Sequence, residues 1–146
     1  AQEARGLGDV YKSQVPGARL FTSERANHIM IDLGDDRFTR GRPHPMIDPA
    51  VRDEPVCAAL SDPDVGVVLL DVVIGFGAHA DPAGHLAGLL DRHGCSGSVV
   101  IASVTGTDED PQVRARQVSV LERAGVVVAP SNADAAELAL ACLNVG

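Results

Sequence analysis

VGVVLLDVVI, residues Val65 to Ile74, carries a single charged side chain in ten positions. A near-continuous apolar run of this length, stopped by Gly75-Phe76-Gly77, fits a strand buried on both faces, as in a parallel sheet. Outward from it, the chain alternates. Asp81-Pro82 reads as a helix N-cap followed by Pro at the first helical position. Leu86, Leu89 and Leu90 then recur at helical spacing, and the pattern ends near His93-Gly94. Ser98 to Val104 (SVVIASV) is the next strand. Asp110-Pro111 is expected to open another helix, with Val113, Gln117, Val120, Leu121 and Ala124 on one face and Gly125 as its stop. Val126 to Ala129 is the last strand. Pro130-Ser131-Asn132 leads into a final helix expected to turn Ala133, Ala136, Leu140 and Leu143 inward. On the other side, His28 to Leu33 is a strand. Asp48-Pro49 opens a helix that runs to about Leu60, shortened or kinked at Pro55. Strand and helix thus alternate four times with short connections, which implies right-handed βαβ crossovers and an α/β fold with one parallel sheet.

The whole chain, 146 residues, suits one domain with a real core. Within residues 1–27, Ala1 to Leu7 fits the tail of a helix, Asp9 to Tyr11 a short strand and Val15-Pro16-Gly17 a turn. Aromatic residues make up only 3% and Trp is absent, so the core is expected to be Val, Leu, Ile and Ala. A formal net charge of −8 argues against nucleic acid as a partner. No apolar run is long enough to span a membrane, and no signal-peptide pattern is present. Cys57, Cys95 and Cys142 are scattered, without zinc spacing, as expected of a reduced, cytoplasmic protein.

In a parallel sheet, ligands bind outside the carboxyl ends of the strands. Four segments meet there: Asp32 to Pro49, Gly75 to Asp81, Ser103 to Pro111 and Pro130 to Asn132. The first, DLGDDRFTRGRPHPMIDP, is a long polar loop with neither a two-residue nor a 3.6-residue period. Asp32, Asp35 and Asp36 can orient a substrate amine or bind Mg²⁺, or can simply form turns. Arg37, Arg40 and Arg42 concentrate positive charge on an acidic chain, and guanidinium groups match carboxylate or phosphate. His44, held between Pro43 and Pro45, is a candidate acid–base group, and Asp35 is the second catalytic candidate. Gly75, Gly77 and His79 line the second loop. His79, Asp81 and His85 have a spacing that can be read as metal ligands, but Asp81 is better explained as a cap, and no metal is expected. Thr105, Gly106 and Thr107 offer N–H groups and hydroxyls to an anion, although no P-loop Gly-Lys-Ser/Thr follows. Ser131 and Asn132 complete the anion-binding candidates and also suit a helix cap.

GRPHPMIDP, LLDVVIGFGAHADPAG, ASVTGTDEDPQ and GVVVAPSNADAA resemble the FdrA family, acyl-CoA synthetase-like relatives of the succinyl-CoA synthetase α subunit. The similarity runs from about Gly8 to the C-terminus. It implies a flavodoxin-like CoA-ligase domain with helices on both faces of a parallel sheet, and a small carboxylate or CoA-linked anion as ligand. CoA, ATP and Mg²⁺ are implied as cofactors by the resemblance alone. The same resemblance implies a separate CoA-binding domain or subunit, and a Gly-rich segment of the type SGGTL before Ala1 that would carry the sheet's first, central strand. Without that strand the sheet needs cover, so we expect a fragment, a rebuilt strand at Gly8 to Ser13, or another chain filling the gap, with a homo-oligomer as the default. Succinyl-CoA synthetases phosphorylate a histidine in the loop that corresponds here to TGTDEDPQVRARQ, which holds none. Phosphohistidine chemistry is therefore not expected. The family's association with purine and ureide breakdown makes a carbamoyltransferase subunit acting on oxamate- or oxalurate-type compounds the alternative, and a non-catalytic structural or regulatory domain the third.

Overall fold

The alternation of strand and helix is present from residue 28 onward in a computed structural model that describes residues 18–20, 28–94 and 97–143. Strand β1 (Ala18–Leu20) pairs in parallel with β2 (His28–Met30). A single helical turn, α1 (Asp36–Thr39), follows inside the long polar loop, where no helix was expected. Asp48-Pro49 opens a 3-10 turn, Pro49–Arg52, with Asp48 accepting from the Ala50 N–H. The chain changes to α-helix only at α2 (Asp53–Ser61). Pro55, which has no N–H to donate, sits in the first turn of α2, where none is needed. Then come β3 (Val67–Val73), α3 (Pro82–His93), β4 (Val99–Thr105), α4 (Arg114–Arg123), β5 (Val127–Ala129) and α5 (Asn132–Leu143). The Asp9 to Tyr11 strand and the Ala1 to Leu7 helix fall outside the described residues.

Strands β3, β4 and β5 form a parallel sheet in that order, and β1–β2 forms a second, separate one. The expectation of one sheet is corrected in this respect. The β3–β4 ladder runs over seven positions, from Val67 opposite Val99 to Val73 opposite Thr105. Its two faces are covered unequally. Helices α2, α3 and α4 cover one face with the main core, in which Leu60, Val72, Leu86, Val100, Ala102 and Leu121 are buried. The other face has only α5, where Ile101 and Ala129 of the sheet meet Ala135. The three-layer α/β arrangement is the one read from the sequence.

Helix α5 packs on a different face than expected. Ala135 is buried and Ala139 packs beside it, while Ala133, Ala136, Leu140 and Leu143 are exposed. The helix carries small or apolar residues almost all round, so periodicity alone could not choose a face. Close approach to Ile101 and Ala129 selects the alanine pair four residues apart. Asp110-Pro111 is also corrected: it does not start α4. Asp110 Oδ2 accepts from the Thr107 N–H at 2.6 Å and from its hydroxyl at 3.1 Å, closing a turn. Asp108 caps the helix instead, accepting from the Ala115 N–H at 2.6 Å.

Alternation along β3 sends the N–H and C=O groups of Val67, Leu69, Asp71 and Val73 away from β4. Among the described residues no strand pairs with that edge. Arg52 Nη1 donates to the Asp71 carbonyl there, at 3.2 Å.

Unequal covering of the sheet makes a mutational contrast. Leu121→Ala should cost about 2–5 kcal/mol, as large cavities in cores do. Leu140→Ala should change stability by less than about 0.5 kcal/mol. Urea unfolding of both variants measures the difference, and an equal loss would contradict the placement of α5.

Candidate functional site

The carboxyl edge of the sheet is assembled by long-range hydrogen bonds from Gln112, just before α4, and Gln117, on α4. Gln117 is buried, and its Oε1 accepts from the Ala83 N–H at 2.9 Å while Nε2 donates to Asp81 Oδ1 at 3.0 Å. Asp81 Oδ1 also accepts from the Gly84 N–H, as the N-cap of α3 should. Gln112, equally buried, accepts from the Gly75 N–H and donates to the carbonyls of Gly75 and His79. These two amides staple the loop after β3 to the loop after β4. Each satisfies backbone groups that would otherwise lie unpaired in the interior.

The loop after β3 is therefore fixed. Gly75 and Gly77 have φ of 144° and 84°, a region that side chains avoid. Between them Phe76 is 97% exposed. His79 is half-buried: its ring Nδ1 accepts from the Asp81 N–H at 3.1 Å, and its backbone N–H donates to the Met46 carbonyl at 2.8 Å. His85 Nε2 lies 2.7 Å from Asp53 Oδ1, bridging α3 to α2. His79, Asp81 and His85 thus have separate structural tasks. Among the described residues, no group of three or more His, Cys, Asp and Glu is arranged to hold a metal ion.

The Met46 carbonyl anchors the long polar loop to this framework. Within that loop, the Gly34 N–H donates to Asp32 Oδ1 at 3.0 Å, and the Met46 N–H donates to His44 Nδ1 at 3.2 Å. A neutral His44 therefore carries its proton on Nε2. That atom lies over Gly34, where a methyl group would come within 2.8 Å of it and 3.3 Å of Asp32 Oδ1. Gly34 leaves room for the His44 ring, which would have to move to admit a side chain there. Asp35 serves the backbone, its carbonyl accepting from Phe38, Thr39 and the Thr39 hydroxyl. Arg40 and Arg42 are exposed.

A cavity of about 500 Å³ opens between the ends of β4 and β5, lined by Ser103, Thr105, Gly106, Arg114, Ser131 and Asn132 among others. Gly106, at φ 145°, could not carry a side chain, because a Cβ would fall 2.2 Å from Ile74. Arg114 is the cation of the cavity. Its Nε donates to the Val104 carbonyl at 3.0 Å and its Nη2 to the Pro130 carbonyl at 3.3 Å, which fixes the guanidinium across the ends of the two strands. Helix α5 begins at the cavity wall, with Ser131 Oγ accepting from the Asp134 N–H. The Ser131 hydroxyl donates to Asp134 Oδ2 at 2.6 Å, so a first-turn carboxylate offsets the positive end of the helix dipole there. The structure brings together Thr105, Gly106, Ser131 and Asn132 of the expected anion-binding set. Thr107 turns its N–H and hydroxyl to Asp110 instead. Gly75, Gly77, His79, Arg40, Arg42 and His44 do not line this cavity.

Arg52, beside the free edge of β3, was not anticipated. Burial pulls its guanidinium below the ordinary value, against the opposing pull of Asp53 and Asp71. Its Nε is buried with no hydrogen-bond partner among the described residues. Neither Arg52 nor Arg114 stands in a recognisable motif, and only their positions in the folded chain single them out.

With this fold and edge in view, the family follows. The CoA-ligase family profile matches residues 11–142, and the chain belongs to that family. It is 37% identical over 141 residues to an uncharacterized protein, YahF, of Escherichia coli (strain K12). The aligned region covers 90% of this chain and 27% of that relative, so the chain spans about a quarter of the length of the relative. No described helix is long and apolar enough to cross a membrane.

Two substitutions probe the framework. Gln117→Leu leaves the Ala83 N–H buried without an acceptor and should cost about 1–3 kcal/mol in urea unfolding. Gly34→Ala should displace the His44 ring, visible as a shifted imidazole signal in NMR with little loss of stability. An unchanged His44 signal would contradict its packing over Gly34.

Proposed function

We propose that this chain is the CoA-ligase domain of an FdrA-type, acyl-CoA synthetase-like protein, and that it binds a small carboxylate in the cavity at Arg114. One observation carries the proposal: a guanidinium fixed by two backbone carbonyls faces a polar cavity on a chain of net charge −8. On so acidic a surface, an anion needs a local cationic site to be held. Arg114 can offer its remaining donors to a carboxylate, and a charge-assisted hydrogen bond is about twice as strong as a neutral one. Arg40 and Arg42, exposed on the long polar loop, act in this proposal by steering anions toward the carboxyl edge. His44, with Nε2 protonated and directed over Gly34, is the acid–base candidate of the same loop. A separate CoA-binding domain or subunit would supply the thioester partner.

Butyrate and inorganic phosphate are suitable probes. In a thermal-shift titration, ligand at ten times its dissociation constant should stabilise the protein by about 1.4 kcal/mol, a rise of about 3–6 °C for a domain of this size. Arg114→Met should abolish the rise, whereas the Arg40→Ala, Arg42→Ala double variant should keep it and lose only its steep salt dependence. A rise that survives Arg114→Met would place the anion elsewhere.

A further inference from the structure

Phe76 is the most exposed large apolar side chain among the described residues, at 97%. The backbone that carries it is pinned. Gln112 accepts from the Gly75 N–H and donates to the Gly75 and His79 carbonyls, and the Ala78 N–H returns to the Gly75 carbonyl at 3.2 Å. The flanking glycines hold φ of 144° and 84°. A Cβ built on Gly77 would meet nothing within 4 Å, so the loop projects into open space. Drawing the ring into the core would break the bonds to Gln112 and leave backbone groups unpaired. Aromatic side chains are enriched at the centres of interfaces, and one presented on a rigid loop loses little freedom when it is covered.

Two segments are tied to this loop, and they differ in charge. The turn after β4 is joined to it through Gln112, and Asp110 Oδ1 would lie 4.0 Å from a Cβ at Gly75. That turn carries Asp108, Glu109 and Asp110, with Glu109 exposed. The long polar loop is joined to it by the hydrogen bond from the His79 N–H to the Met46 carbonyl. Beside that bond Ile47 is 54% exposed, on a turn closed by its own N–H to the His44 carbonyl at 2.8 Å. The same loop carries the exposed Arg40 and Arg42. Among the described residues, Arg40, Arg42 and Glu109 have no ion-pair partner. The surface thus combines an acidic turn, an apolar centre and an arginine loop. A half-turn about an axis through Phe76 lays the arginines of one copy toward the acids of another and ring toward ring. Such a surface is complementary to itself. A chain of net charge −8 repels its own copies elsewhere, so this is where self-association is favoured.

We propose that the carboxyl edge around Phe76 is a twofold interface between two copies of this chain. Phe76 and Ile47 form its centre, and Arg40 and Arg42 of one copy face Glu109 of the other. The arginines lie at the rim, where they stay hydrated and still draw anions. None of these residues lines the cavity at Arg114, so the interface and the anion site stand independently. Two phenylalanine rings supply about 300–500 Å² of buried surface, well short of the roughly 1,200 Å² of a stable interface. The dimer is therefore weak, with a dissociation constant on the order of 10–100 µM.

Sedimentation velocity of the intact chain from about 5 to 500 µM tests this, since that range brackets the expected constant. Wild-type protein should pass from monomer to dimer across it. Phe76→Ser should weaken the dimer at least about tenfold. Its urea midpoint should not change, because the ring is already exposed in the monomer. Glu109→Arg should weaken the dimer about threefold or more at low salt, and adding Arg40→Glu and Arg42→Glu to it should restore the wild-type constant. A wild-type monomer at every concentration would overturn the proposal and leave Phe76 to a different protein. A dimer that survives Phe76→Ser would also overturn it and place the contact elsewhere, as at the free edge of β3. Failure of the charge swap to restore association would overturn the twofold arrangement.

Discussion

The ladder between Val67–Val73 and Val99–Thr105 fixes the position of every group at the carboxyl edge. It holds Asp71 against Ser103 and Thr105, and it ends where Arg114 closes over the Val104 carbonyl. Its stability comes from the face packed by Val72, Leu86, Val100 and Leu121, which are buried. Apolar burial there supplies the driving force, and the hydrogen bonds select the register. Gln112 and Gln117 then transfer that rigidity to the loops, since Gln112 ties the β3 loop to the turn before α4 and Gln117 ties the start of α3 to α4. A ligand arriving at this edge meets groups already in place, which lowers the ordering cost of binding.

The alternation of strands and helices was legible because strands buried on both faces write themselves as apolar runs, and Asp-Pro marks helix starts by local chemistry. That device succeeds at Asp48 and Asp81, where each carboxylate takes an N–H within its own segment. It fails at Asp110, because Thr107 claims the carboxylate first and Asp108 reaches Ala115 instead. The inward face of α5 was hidden by a sequence that is apolar on several sides. At the cavity, glycines and hydroxyl residues at strand ends were legible from turn chemistry. Gln117 was legible as part of a helix face, but its partners, and those of Arg114 and Gln112, were not, because these bonds reach 10 to 37 residues away in sequence. Asp71 looked like the single interruption of an apolar run, and its partners on β4 became visible only with the register.

Electrostatics sharpens the functional reading. On a chain of net charge −8, the long polar loop holds the densest run of arginines in the sequence, yet the cavity lies at a different strand end and uses Arg114. Loop arginines exposed to solvent suit attraction at a distance, whereas a guanidinium fixed by two carbonyls suits recognition. The free edge of β3 adds a structural constraint: backbone groups of Val67, Leu69 and Val73 find no strand partner among the described residues. An edge of this kind is a place for strand addition, and Arg52 already occupies one of its carbonyls, that of Asp71.

The central claim is that a small carboxylate binds at Arg114. Backbone NMR titration with butyrate tests it most directly. The account predicts the largest shifts at the amides of Gly106, Ser131, Asn132 and Ala133 and at the Arg114 Nε–H. Shifts confined to residues 34–42 would contradict it and return the anion site to the arginines of the long polar loop.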